Sequence, residues 1–284
     1  MNAPVGYVLA VGVAAIPTWS AVAPLRGPWV LGRLSFRLGL AINELPFVGL
    51  AWLLASTLLA AAQGDLASPA AWTVCGAAVL TSAGLAIVAR RGLLAGKAVE
   101  NALVEALGEV PARRAVSLSP VSCSGRSSSG GATYPSTLFV AGSSAGGHLA
   151  SMAALTPCDP AFQPGFETAD TSVSGAISLY GYHGGLDGEV DSPSSPVSYL
   201  RPDAPPFFVA HGTADSLVPV EDTRLFVDRL RSVSVNPVVY AELPGAQHSF
   251  DLFHSLRFEA VIDGIEAFTT WARSDPPDRA AAAT

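Results

Sequence analysis

Three residues of the kinds needed for acyl-transfer chemistry occur in a workable order. Ser144 lies in Gly142-Ser143-Ser144-Ala145-Gly146, Asp215 in His211-Gly212-Thr213-Ala214-Asp215, and His248 in Ala246-Gln247-His248-Ser249-Phe250. A serine hydroxyl is nearly inert at neutral pH. It becomes a nucleophile when an imidazole takes its proton and a buried carboxylate fixes the tautomer and stabilises the imidazolium. Gly-x-Ser-x-Gly alone is a weak signal, but here an apolar run, Thr137–Ala141, precedes it and a helix-like stretch, Leu149–Leu155, follows. Gly142 and Gly146 then permit a sharp strand-to-helix turn, which lifts the hydroxyl clear of a sheet and aims helix N-terminal amides at it.

The other histidines fit plainer roles. His211 ends a strand-like run and reads as a loop stabiliser, and His148 as a packing or capping residue at the start of a helix. His183 and His254 read as surface or packing residues. Glu221 and Asp222 suit the first turn of a helix, where negative charge favours the dipole.

These side chains need elements to hold them. Gly175–Tyr180, Pro206–Ala210 and Pro237–Leu243 read as further strands, and Glu221–Val233 and Leu256–Trp271 as helices. Strands alternating with helices imply an α/β domain, a parallel sheet with helices on both faces. Active-site groups then belong in loops beyond the C-terminal ends of the strands, where Asp215 and His248 both fall.

The front half has another character. Residues 2–25, 45–62 and 66–89 carry no charge, and each run is close to the roughly 20 apolar residues that cross a bilayer. No Lys or Arg precedes Arg26, so the first run reads as a span in preference to a signal peptide. Residues 1–91 are therefore expected to hold about three transmembrane helices. Arg26, Arg33 and Arg37 fill what reads as the first loop, and Arg90, Arg91 and Lys97 follow the third run. The positive-inside rule makes both segments cytoplasmic, with the hydrolytic half on that side too. Residues 92–134 read as a linking amphipathic helix followed by a Ser/Gly-rich linker (117–131), residues 135–274 as the catalytic core, and 275–284 as a disordered tail.

Only 14% of the 284 residues are charged, and the net charge is −7. The acidic surplus lies after residue 110, which argues against nucleic acid as a partner. Cys75, Cys123 and Cys158 show neither metal-ligand spacing nor a disulfide framework.

Gly142-Ser-Ser-Ala-Gly-Gly-His148, the His211–Asp215 loop and Ala246-Gln-His248-Ser-Phe resemble the hormone-sensitive-lipase-like branch of the α/β-hydrolases. With the apolar front half, the chain looks most like the membrane-anchored carboxylesterases of actinobacteria, over residues 135–273. The resemblance implies hydrolysis of small-molecule or lipid esters without metal or cofactor. By that likeness Ser144 attacks, His248 acts as general base and then acid, Asp215 orients His248, and the Ala145 N–H is one oxyanion donor.

The chain departs from this pattern in one respect. The family keeps a His-Gly-Gly oxyanion loop, and four strands, ahead of the elbow strand, whereas few residues lie between Arg114 and Thr137. His183-Gly184-Gly185 follows the wrong strand and reads as a chance match. The sheet is thus expected to be truncated. Two alternatives stay open: a catalytically impaired hydrolase-like membrane protein, and a serine peptidase of the prolyl-oligopeptidase type.

Overall fold

The computed structural model describes residues 4–25, 27–108 and 138–274. Arg26, the Ser/Gly-rich stretch 117–131 and the tail 275–284 lie outside the described residues.

Four strands, β1 (Phe139–Ser143), β2 (Gly175–Leu179), β3 (Phe207–Gly212) and β4 (Val238–Leu243), form one parallel sheet in the order β1-β2-β3-β4. Strands β2 and β3 are buried throughout, as apolar runs covered on both faces must be. Strand β1 starts two residues later than the apolar run suggested, because its register pairs Phe139 with Gly175 and Ser143 with Leu179. Among the described residues β1 pairs with β2 alone, and no described strand adjoins its far edge.

Helices cover both faces. On one, α5 (Ala145–Leu155) and α6 (Val220–Val233) bring Leu155, Phe226 and Leu230 against Ala176, Phe207 and Val209. On the other, α7 (Leu256–Ser274) brings Val261 and Phe268 against Ile177, Phe208 and Val239.

The second helix on that face includes the amphipathic stretch expected from residue 92 onward. Helix α4 (Pro69–Leu107) runs unbroken for 39 residues, about 58 Å at 1.5 Å per residue. Ser68 caps it by accepting from the Ala71 N–H, Pro69 occupies the first turn, and Gly108 ends it in the left-handed region. Its second half places Ala95, Val99, Ala102 and Leu103 in the sheet's core, so the residues following the third apolar run are a wall of the α/β half.

Its first half packs with α1 (Val5–Val22) and α3 (Pro46–Ala62). At one end the Tyr7 hydroxyl meets Thr57 and Cys75, and at the other Arg91 donates to the Val22 carbonyl at 2.9 Å. By length and composition α1 and α4 are each apolar enough to cross a membrane. A third crossing counts α2 (Trp29–Glu44) and α3 together, a pair bent by 82°. Arg33 and Arg37 therefore stand on helix α2, where a loop was expected. The two arginines interrupt the hydropathy of a segment whose other positions are mostly apolar.

Glu44, at the end of α2, is buried in a salt bridge to Arg257 of α7, with Nη1 to Oε1 at 3.3 Å. Arg257 also donates to the Asn43 carbonyl (2.6 Å) and the Pro244 carbonyl (3.2 Å), and Ser255 donates to Glu44 at 2.8 Å. This pair ties the apolar half to the sheet.

Candidate active site

The elbow forms because β1 runs directly into α5. Ser144 sits between them at φ 55°, ψ −121°, a conformation that a residue with a side chain adopts only under constraint. The Ser144 N–H donates to Leu179 O of β2 at 2.9 Å, and its carbonyl accepts the His148 N–H at 3.1 Å. Gly142 has no room for a side chain: a Cβ there would overlap the Gly146 backbone as the chain doubles back. Ala145 is the first residue of α5, so its N–H belongs to the unpaired first turn of a helix.

Ser144, His248 and Asp215, predicted from three separate motifs, lie in one hydrogen-bonded row. Ser144 Oγ is 2.9 Å from His248 Nε2, and His248 Nδ1 is 2.7 Å from Asp215 Oδ2. An ionised carboxylate only accepts, so Nδ1 carries the proton and Nε2 is left to accept from the serine hydroxyl. Asp215 and His248 are both buried. Burial pushes the Asp215 carboxyl up, but hydrogen bonds from His211, His248 and the Val218 N–H outweigh it and hold the group down to about 2. The carboxylate is charged across the working pH range and also accepts the Leu217 N–H at 2.8 Å.

Behind Asp215 runs a second chain of side chains that sequence reasoning resolved only in part. His211 Nε2 faces two acceptors, Val218 O at 3.1 Å and Asp215 Oδ2 at 3.3 Å, so it is protonated. His211 Nδ1 then accepts from Thr223 Oγ1 (2.8 Å), Thr223 accepts from His183 Nδ1 (3.1 Å), and His183 Nε2 accepts from Ser178 (3.2 Å). Burial, with smaller contributions from His211 and His148, holds the His183 imidazole down to about 3. His183 is thus a neutral core residue stacked on Phe226 at 4.2 Å, and Gly185 N–H donates to Glu189 O in a local turn. His183-Gly184-Gly185 is used up in packing.

His148 stays out of the row and bonds the Tyr182 carbonyl through Nδ1 at 2.9 Å. His254 is exposed and pairs with Glu259. Glu221 and Asp222 occupy the first turn of α6.

Several further side chains at the site had no sequence signal. The Tyr180 ring stands edge-on to His248 with centroids 4.6 Å apart, and its hydroxyl donates to Asp251. Ser143 also donates to Asp251, at 3.1 Å. Phe36 of α2 meets the His248 ring at 6.1 Å, and Ser216, beside Asp215, donates to Gly32 O of α2 at 2.9 Å. The described non-glycine residues with positive φ are Ser144, Cys158, Tyr180 and Ser249. All but Cys158 lie at this site, where backbone strain tends to collect.

The described residues contain no cluster of His, Cys, Asp and Glu able to hold a metal.

Comparison with known proteins finds similarity to ester hydrolases over about half of the chain. Its homologues are mycobacterial carboxylic ester hydrolases. The chain is 45% identical over 161 residues to the Probable carboxylic ester hydrolase LipM of Mycobacterium tuberculosis, covering 47% of this chain and 37% of that protein. It is 40% identical over 158 residues to Esterase LipQ of the same organism, covering 47% and 38%. The match thus spans less than two fifths of the length of these relatives. The BD-FAE family model matches residues 186–230, the stretch holding Asp215 and most of α6. Similar solved structures include Thermogutta terrifontis esterase 2 phosphoramylated by tabun. That alignment has 27% identity and a TM-score of 0.41, covering 46% of this chain and 53% of that one.

Proposed function

We propose that the protein is a membrane-anchored serine hydrolase of carboxylic esters with a truncated α/β-hydrolase sheet. The observation that carries this is the hydrogen-bonded row Ser144–His248–Asp215 with its serine on a strand-to-helix elbow. The names of the homologues support esters as the substrate class.

In this reading Ser144 Oγ attacks the ester carbonyl carbon while its proton passes to His248 Nε2. Asp215, held ionised, stabilises the resulting imidazolium. The tetrahedral oxyanion faces the Ala145 N–H at the start of α5, helped by the positive end of that helix. Collapse breaks the bond to the alcohol oxygen, which leaves with the proton from His248, and Ser144 keeps the acyl group. Water then attacks the acyl-enzyme with His248 again as base, releasing the acid. No step calls for a metal or cofactor.

The anchor is α1, α3 and the first half of α4. Arg90, Arg91 and Lys97, midway along α4 where its apolar stretch ends, support a cytoplasmic position for the hydrolase half by the positive-inside rule.

A second reading has its own observation. The far edge of β1, which no described strand adjoins, lies where further strands and oxyanion donors would be expected. Loss of one such donor costs on the order of 10²–10³ in rate, so a weak or inactive enzyme is the competing account.

Fluorophosphonate labelling of the full chain in detergent decides the first reading. Label on the wild type and none on Ser144→Ala supports it, whereas an unlabelled wild type, or equal labelling of both, rejects it. Turnover of a short-chain p-nitrophenyl ester that vanishes in Ser144→Ala would exclude the inactive account.

A further inference from the structure

Helix α2 has two faces with different partners. Its inner face is docked on the active-site loops: Gly32 O accepts from Ser216, Phe36 meets the His248 ring, and Asn43 O accepts from Arg257. The approach at Gly32 is so close that any Cβ would overlap the Ser216 carbonyl. The opposite face, at helical spacing, is Val30, Leu31, Leu34 and Leu38, between 39% and 69% exposed.

Two further observations say what covers that outer face. The α2 axis turns 82° from α3, so if α3 crosses the bilayer α2 lies nearly in its plane. The α2 level is also fixed at one end of the bundle: Ser35 Oγ meets Ser20 and the Leu25 N–H near the end of α1, and Glu44 precedes the first turn of α3. Arg33 and Arg37 flank the exposed stripe, with Arg33 over the Trp29 ring at 4.1 Å, beside a groove of about 280 Å³ lined by Trp29, Val30, Arg33, Leu34 and Arg37. An apolar stripe edged by arginines and a tryptophan is the pattern of a helix lying in the headgroup region. Its cations are drawn to anionic lipid.

We infer that α2 is an interfacial helix clamped between an anionic leaflet and the loops carrying Asp215 and His248. The site therefore opens at the membrane plane, and its substrates are amphiphilic esters already in the leaflet. The substrate clause rests on the ester-hydrolase reading; the placement of α2 does not.

Depth measurements separate the two. The full chain, with Cys75, Cys123 and Cys158 changed to Ala, is reconstituted in phosphatidylglycerol–phosphatidylcholine vesicles and spin-labelled at Leu34→Cys, Val13→Cys or Glu221→Cys. The Leu34 label should sit roughly 5–10 Å below the headgroup boundary, with Val13 deeper and Glu221 in water. A Leu34 label as water-exposed as Glu221, or as deep as Val13, overturns the placement. Arg33→Gln/Arg37→Gln should move the Leu34 label towards water, and an unchanged depth removes the headgroup role. A variant keeping Trp29 as its single tryptophan, with Trp19, Trp52, Trp72 and Trp271 changed to Phe, quenched by lipids brominated at the start of the acyl chain, gives the same answer without an engineered cysteine. For the substrate clause, a long-chain methylumbelliferyl ester held in these vesicles should be turned over about tenfold faster than the butyrate ester in solution at equal bulk concentration. Preference for the soluble ester overturns that clause alone, and failure of Ser144 labelling would refute the enzyme reading while leaving the depth result standing.

Discussion

Arg257 reaches from α7 to Glu44 at the end of α2, and both side chains are buried. The partners lie 213 residues apart, so one contact locks the apolar half onto the sheet. Removing one partner of a buried pair leaves an uncompensated charge and typically costs about 3–5 kcal/mol, whereas replacing both with apolar groups is often neutral. Arg257→Met should therefore lower the thermal midpoint in detergent sharply, and Glu44→Leu/Arg257→Met should recover most of the loss. A double variant as unstable as the single one would mean the hydrogen bonds to Asn43 O and Pro244 O matter more than the charge.

Asp215 is the acid expected to serve His248, but Asp251 lies close by, holding Ser143 and Tyr180. Asp215→Asn should cut kcat for a p-nitrophenyl ester by on the order of 10⁴, the scale seen when the imidazole tautomer is lost. Asp251→Asn should cost far less, since Asp251 bonds Ser143 and Tyr180 whereas Asp215 bonds His248 Nδ1. Near-wild-type turnover of Asp215→Asn would transfer the role elsewhere.

His183 gives a stability signature in pH. Its folded value is about 3 against 6.5 for the free group, so above pH 6.5 neither state binds the proton. Below 6.5 the unfolded chain takes it and the folded chain does not, so stability falls as pH drops towards 3, at up to about 1.4 kcal/mol per unit. Urea titrations in detergent at pH 7 and pH 5 should show a shallower loss for His183→Asn than for the wild type. Parallel losses would assign the effect to other groups.

Two glycines make a matched pair for α2 docking. Gly12 of α1 has open space where a side-chain methyl would stand, with nothing within 4 Å, so Gly12→Ala should be tolerated or stabilise by about 0.5–1 kcal/mol. Gly32→Ala must push α2 off Ser216 and should cost about 1–3 kcal/mol, with a matching fall in kcat/KM on a soluble ester. Thermal midpoints and turnover measured side by side would show it. Equal behaviour of the two variants would argue that α2 is not held tightly on the loops.

The sheet and the hydrogen-bonded row of Ser144, His248 and Asp215 were legible because their signals are local. Short apolar runs set the strands, and paired glycines mark the turn at Ser144. Three features were not legible. Arg33 and Arg37 made α2 look like a loop, since a helix docked on protein along one side and apolar on the other has no simple periodicity. His183 read as either a surface or a packing residue, and the choice was not legible because its partners Thr223 and Ser178 belong to different elements. Arg257 carries no mark of burial in its own helix, since the carboxylate it meets lies at the far end of the sequence.

The unbroken run of α4 from bundle to sheet bears on any attempt to obtain a soluble fragment. Cutting the chain at the elbow strand would strip Ala95, Val99 and Leu103 from the core and leave Phe208, Val239 and Phe268 facing water. Such a fragment should precipitate, and a start near residue 92 keeps those contacts but also removes Glu44, so Arg257 and the newly exposed side of that helix would need changing with it. Solubility of the sheet half thus depends on where the knife falls along one helix.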